Sequence, residues 1–268
     1  MLTNPRSDRV RSVRALSRRS MRRRTGRLLV EGPQGVREAV RHAPGTVDDL
    51  YVTPDAVARH PELVAEADAG ALRRHDVSEE VLAAMCDADS PQGMVAVCTW
   101  QPATLEQVLS RAPRCVVLLH AVRDPGNLGT VIRGVDAAGA DAVLVSEASV
   151  DVTSPKVVRS TVGSLFHVPV VTDLPTLPTI AALRDAGLAT HAADGSAETS
   201  VDDAELAGPH AWVMGNEARG LPDEVAAACD DVLRVPIHGL AESLNLAMAT
   251  TLCVYASARA QVRARAEG

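Results

Sequence analysis

From residue 114 onward the chain repeats one alternation, a short continuous apolar run followed by a stretch of helical periodicity. The runs read CVVLLHAV, DAVLVS, HVPVV, LATHAA, AWVMG and DVLRVP; helices are expected from about Gly126, over PKVVRSTVG, at 178–186, from Pro222 and at the C-terminus. A strand that is apolar throughout must be covered on both faces, which a parallel sheet flanked by helices provides. The expected fold is therefore α/β, and in such sheets ligands gather at the carboxyl ends of the strands.

Residues 1–99 alternate more loosely. GRLLVEG, DDLYVT, LRRHDV and GMVAVCTW read as strands, with helices after Gly32, over 54–69 and at SEEVLAAM, where Ser78 suits a helix cap. This reads as a second, smaller α/β domain behind a basic leader. The linker is expected at 100–113, between Pro102 and Pro113, so that the larger domain runs over 114–268.

Net charge is −7, yet residues 1–27 hold ten arginines against the single acid Asp8, a local balance of +9 that leaves −16 for the rest. A basic segment on an acidic body fits polyanion binding, and Arg18, Arg19, Arg22, Arg23 and Arg24 are the densest candidates for RNA contact. A solvated tail or an organellar transit peptide has the same composition. Five scattered cysteines without a Cys-x-x-Cys pair suggest neither a zinc framework nor disulfides, and no metal is expected at the site. No apolar run approaches 18 residues, so no membrane span and a cytoplasmic location are expected.

Three loops follow strands. RDPGNLGTVIRG carries Asn127 and Gly129, with Arg133 beyond; MGNEARGLPDEV carries Gly215 and Glu217; VPIHGLAESLNLAMA carries Val235, Ile237, Ser243, Leu244 and Asn245. None is a dinucleotide fingerprint or a Walker A loop, because the glycine spacing and the lysine are wrong, which disfavours a nucleotide-dependent oxidoreductase. Ser243 reads as the N-cap of the terminal helix, and Leu244, Ala247, Met248, Leu252 and Tyr255 as its apolar face. Asn245 has no evident place in such a helix.

Taken together and in this order, the loops resemble the three motifs of the SpoU (TrmH-like) branch of the SPOUT RNA methyltransferases: Asn-x-Gly with a following Arg, Gly-Asn-Glu-x-x-Gly, and Val-Pro followed by Ser-Leu-Asn. Residues 1–99 are similar, less specifically, to the ribosomal-protein-L30-like substrate-binding domain that precedes many such enzymes. The whole looks most like the bacterial group with the thiostrepton-resistance rRNA methyltransferases.

The resemblance implies a parallel-sheet domain with a deep trefoil knot, a homodimer, and methyl transfer from S-adenosylmethionine to a ribose 2′-hydroxyl of RNA. Ribosomal RNA is preferred over tRNA as the substrate. It implies that the cofactor lies against Val235, Ile237, Leu244 and Asn245, with Gly215 leaving room for it. Arg133 would hold a phosphate and place the hydroxyl, Asn127 and Ser243 would orient the nucleotide, and Glu217 and Asn245 would hold the site or help orient the hydroxyl. A non-catalytic RNA-binding protein that keeps the fold is the rival reading, and His120, where many relatives carry an acid, reads as a satisfied strand-end histidine.

Overall fold

A computed structural model describes residues 1–267. The leader is folded: helix α1 (Asp8–Arg14) buries Val10 and Val13, the turn after it buries Leu16, and helix α2 (Arg19–Thr25) buries Arg22. Chain order then runs β1 (Arg27–Glu31), α3 (Pro33–His42), β2 (Val47–Val52), α4 (Pro54–Arg59), α5 (Pro61–Ala69), β3 (Arg74–Asp76), α6 (Glu79–Met85) and β4 (Met94–Thr99). The single helix expected over 54–69 is two, because Pro61 lacks the N–H that would continue the first and instead opens the second. Ser78 caps α6 as expected, accepting from Val81 N. The strands form one sheet in the order β1-β4-β2-β3, in which β4 runs antiparallel to both neighbours and β3 parallel to β2.

Next come α7 (Leu105–Leu109) within the expected linker, β5 (Cys115–Leu119), α8 (Pro125–Ala138), β6 (Ala142–Ser146), α9 (Pro155–Thr161), β7 (Val170–Leu174), α10 (Thr176–Asp185), β8 (Ala189–Ala193), β9 (Thr199–Ser200), β10 (His210–Met214), α11 (Asp223–Ala227), β11 (Asp231–Arg234) and α12 (Leu246–Glu267). Seven of these strands form a wholly parallel sheet, ordered β7-β6-β5-β10-β8-β11-β9. Every residue of β5, β6 and β10 is buried, as their apolar runs required. The two-residue edge strand β9 carries no such run and was not foreseen.

Two compact units result, residues 1–101 with 151–167, and residues 102–150 with the described residues from 168 onward. The segment 151–167, expected with the larger domain, thus belongs to the smaller one. Arg22 shows why. Its side chain is almost fully buried; Nη2 donates to Asp151 Oδ2 at 2.6 Å, Nε to Thr153 Oγ1 at 3.0 Å, and Nη1 to the carbonyls of Leu16 and Ser17. Burial alone would raise the Asp151 carboxyl, but the bonds from Thr153 and Arg22 outweigh it and hold it below the usual carboxylate range.

In the second unit α12 packs on α8, closely enough that a Cβ on Gly134 would lie 2.6 Å from Thr251 Oγ1. Of the apolar face expected for α12, Ala247 is buried and the Tyr255 hydroxyl reaches Ala137 O on α8 at 3.3 Å, but Met248 and Leu252 are exposed. Leu246, Ala247, Thr250, Cys253, Val254, Ser257 and Gln261 are buried, whereas Met248, Leu252, Tyr255 and Val262 are exposed. The buried stripe is built from small and polar residues, whose hydroxyls and amide find partners inside. Hydrophobicity alone therefore finds only part of the buried side of the helix.

One of those partners is His210. Gly208 O can only accept, so His210 Nδ1 carries the proton and donates at 2.9 Å; Nε2 accepts from the Ser257 hydroxyl at 2.7 Å, which accepts from Trp212 Nε1 at 2.8 Å. Burial, aided by the nearby His191 and Arg114, pushes the His210 imidazole down to about 4. The unfolded chain binds this proton more readily, near pH 6.5. The contribution to stability is full above pH 6.5 and disappears as pH falls toward 4, at most about 3 kcal/mol. Thermal melts across that window are expected to fall more steeply for the wild type than for His210→Gln. Equal slopes would mean that the histidine is not buried neutral.

Candidate active site

The three loops singled out above leave the carboxyl ends of β5, β10 and β11, and β10 lies beside β5 in the sheet. Helix α8 is opened by Asp124, whose Oδ1 accepts from Asn127 N at 2.7 Å, with Pro125 at the first helical position. Asp124 was not picked out from the sequence, although an acid directly before a proline is a readable helix start. Asn127 Nδ2 donates to Glu217 Oε1 at 3.1 Å, and the same carboxylate accepts from the backbone N–H of Arg123 and Asp124 at 3.3 and 3.2 Å. Asn127 Oδ1 accepts from Asn245 Nδ2 at 2.8 Å. One chain of polar contacts therefore ties the three loops together.

Asn245 has a second task. Its Oδ1 accepts from Ala247 N at 2.9 Å and Met248 N at 3.3 Å, so it is Asn245, not Ser243, that caps α12. Ser243 is exposed and lies in the preceding loop. An asparagine that looked misplaced inside a helix sits instead at the position just before it, where its side chain satisfies free N–H groups. Asn245→Ala removes both the cap and the tie to Asn127, and is expected to cost about 1–2 kcal/mol. A thermal melt should register this as a drop of roughly 2–8 °C, and an unchanged melt would rule out the cap.

Glu217 is held ionised. Partial burial would raise its carboxyl, but the bond from Asn127 and the backbone N–H donors of Glu217, Arg123 and Asp124 bring it below the ordinary glutamate range. With its oxygens occupied by loop donors it is an organiser of the site. Asn216, also overlooked, braces the same loop: its Nδ2 donates to Ala121 O at 2.6 Å and its Oδ1 accepts from Ala218 N at 2.9 Å.

Beside this network lies a cleft of about 240 Å³ lined by Gly215, Glu217, Val235, Ile237, Ser243 and Leu244 among others. Four of the five residues expected to meet a cofactor are there; Asn245, the fifth, is spent on the cap. Asp194 and Glu242 also line it, and the Asp194 carboxyl is kept below its ordinary range by hydrogen bonds from the Ser196 side chain and backbone. Apolar walls with carboxylates suit a ligand that carries both an aromatic base and positive charge. Gly215 lines the cleft, and its lack of a side chain has a second reason within its own loop. A Cβ there would meet the backbone of Gly220 and Leu221 at 2.3–2.5 Å, so the glycine is needed for the loop to fold on itself.

Arg133 stands outside both groups. It follows Asn127 by six residues on α8, about 9 Å along the axis and on another side of the helix. It is exposed, and among the described residues it has no hydrogen-bond or ion-pair partner. His120 is satisfied as expected, its Nδ1 within 2.8 Å of Thr176 Oγ1, and burial lowers its imidazole. In the first unit Arg18, Arg19, Arg23 and Arg24 are exposed, whereas Arg22 is enclosed and unavailable to a phosphate. Arg159 is likewise engaged, with Glu31 at 2.9 Å and Asp87 at 3.0 Å.

Comparison with known proteins places this arrangement. The SpoU rRNA Methylase family model matches residues 114–255, and the model for the MRM3-like substrate binding domain matches residues 7–96. The 23S rRNA (guanosine(2553)-2′-O)-methyltransferase RlmP of Bacillus subtilis is 32% identical over 95% of this chain and 97% of its own length. Among solved structures, an AdoMet-bound rRNA methyltransferase from Sinorhizobium meliloti is 30% identical with a TM-score of 0.84, covering 96% of this chain and 97% of its own. The SpoU methyltransferase AviRb from Streptomyces viridochromogenes, in complex with AdoMet, is 29% identical with a TM-score of 0.81 over 98% of this chain and 100% of its own.

Proposed function

The chain belongs to the SpoU rRNA methylase family, and on that premise we propose that it methylates a ribose 2′-hydroxyl of 23S rRNA from S-adenosylmethionine. The observation that carries the reading is the Glu217–Asn127–Asn245 chain, which joins the three motif loops beside a cleft whose lining fits the cofactor. Residues Val235, Ile237 and Leu244 would hold the adenosine, and the carboxylates of Asp194, Glu217 and Glu242 would favour the cationic end. When bound, the cofactor supplies an electrophilic methyl group on a sulfonium.

The protein's own residues then have a limited task. A ribose hydroxyl is a weak nucleophile at neutral pH and must be placed in line with the methyl carbon. Arg133, exposed and without a partner among the described residues, has its guanidinium available to take a phosphate through two parallel N–H bonds and so fix the nucleotide. It acts as a positioning charge. Asn127, Glu217 and Asn245 hold the loops still, and Ser243, exposed on the cleft, would orient the ribose.

The first unit would bind the RNA, with the exposed Arg18, Arg19, Arg23 and Arg24 giving a salt-sensitive affinity. No helix of the described residues is long and apolar enough to cross a membrane, in keeping with the cytoplasmic location proposed here. A trefoil knot formed by the C-terminal segment and an L30-like first unit belong to the same reading. So does a homodimer, for which the exposed stripe Met248, Leu252, Tyr255 and Val262 on α12 is the natural surface.

Radiolabelled S-adenosylmethionine, incubated with the protein and with separate pools of unmodified rRNA and tRNA, tests the proposal. Label on a ribose of rRNA supports it. Label only on tRNA would correct the substrate, and binding of both cofactor and RNA without transfer would point to a non-catalytic RNA-binding protein.

A further inference from the structure

We propose that Glu38, His42 and His167, in the first unit and apart from the methyl-transfer site, form a zinc site with two imidazole ligands and one carboxylate ligand. Glu38 and His42 are four residues apart on α3 and so share a face. His167 arrives from the single helical turn Ser164–Phe166 that follows α9. That turn is brought in by Gly163, whose φ is +102° and on which a Cβ would fall 2.3 Å from Glu38 Cγ. Only a glycine lets the backbone rest on the stem of Glu38.

The geometry points to a cation. His42 Nε2 lies 3.4 Å and His167 Nε2 3.2 Å from the same oxygen, Glu38 Oε2. Ligand atoms bound at roughly 2.0–2.1 Å in a tetrahedron stand about 3.3 Å apart, so two edges of a zinc tetrahedron are already present. The three donor atoms all lie within 4.8 Å of one another, and His42, half exposed, has the freedom to close the third edge. The imidazoles meet edge to face with centroids 4.4 Å apart. A divalent ion between them would take a lone pair from each ring and from the carboxylate at once.

The surroundings are arranged as around a metal ligand. The other carboxylate oxygen, Glu38 Oε1, accepts from Gln34 Nε2 at 2.8 Å, and Gln34 Oε1 accepts from Arg37 Nη1 at 2.8 Å. This fixes the carboxylate so that Oε2 alone is presented to the histidines. Arg41, the basic residue next to His42, is turned away into a two-point pair with Glu66 at 2.6 and 2.7 Å. Two imidazoles with one carboxylate select zinc over magnesium or calcium, and three protein ligands leave a fourth position for water. Since His167 ends the 151–167 segment, the ion would fasten that segment to α3. The cysteines gave no hint of it because none takes part.

The test uses the full chain stripped with a chelator and titrated with zinc sulfate against a chromophoric chelator, for the wild type, His42→Ala and His167→Ala. The expected result is one high-affinity zinc per chain, at least tenfold weaker in either variant, and a zinc-dependent rise in melting temperature seen only in the wild type. His42 is half exposed in the last turn of α3, so its variant reads binding without loss of fold, as a far-ultraviolet spectrum would verify. Cobalt(II) added in place of zinc should give the visible absorption of a tetrahedral centre in the wild type alone. Absence of a stoichiometric zinc, or equal affinity in all three proteins, would overturn the assignment and leave an adventitious ion only.

Discussion

Arg133→Ala is expected to lower the rate of methyl transfer about 10²–10³-fold, the usual cost of removing one preorganised charge from a reacting centre. Stability should scarcely change, within about 0.5 kcal/mol, because the side chain is exposed and unpartnered among the described residues. Cofactor binding should also survive, since Arg133 is not among the residues of the cleft. The substitution thus separates positioning from architecture. Arg133→Lys sharpens it: a lysine keeps the charge but not the planar fork, so recovery should be partial. Full recovery would mean that a point charge suffices, and a shift of the alkaline limb of the pH–rate profile with lysine would mean that the residue acts as a base. Unimpaired transfer by Arg133→Ala would remove it from the site.

The second large effect concerns stability. Arg22→Ala leaves Asp151 partly buried with only the half-exposed Arg19, 3.8 Å away, for a cation and strands the carbonyls of Leu16 and Ser17, and breaking such an enclosed pair costs about 3–5 kcal/mol. The melting temperature should fall by roughly 6–20 °C. Arg18→Ala, at an exposed position a few residues away, should melt like the wild type and instead weaken RNA binding with a shallower salt dependence. If Arg22→Ala melted normally and lost RNA affinity, the two arginines would have exchanged roles, and the enclosed pair with Asp151 would not exist in solution.

Arg22 also marks where sequence reading stops. Ten arginines in one leader are alike by composition, and no local pattern tells which one will be taken up by an acid that arrives 129 residues later. The parallel sheet was legible because its strands must be apolar throughout, and the three loops because their motifs are dense and ordered. The face of α12 is only partly legible, for the opposite reason. Its buried stripe includes Ser257 and Gln261, whose partners His210, Trp212 and Arg114 lie outside the helix. Asn245 was noticed as out of place, yet Ser243 was given the cap, since either residue type can fill it and only the backbone path decides. The tight approach of Gly215 to Gly220 and Leu221 of its own loop has no signal in the sequence beyond the glycine itself.

The return of residues 151–167 to the first unit has a consequence for how the protein is made. Synthesis delivers all four strands of the small sheet by residue 99, but Asp151, the partner of Arg22, and the buried Val157, Val158 and Leu165 come later. At 5–20 residues per second, the interval between residues 101 and 167 is about 3–13 s. Throughout it the nascent chain carries an arginine without its acid and an uncovered apolar face beside β1, where α9 will pack. The N-terminal unit therefore matures out of order, finishing only after the first strands of its successor have left the ribosome, and a chain cut at residue 101 should behave as that unfinished intermediate.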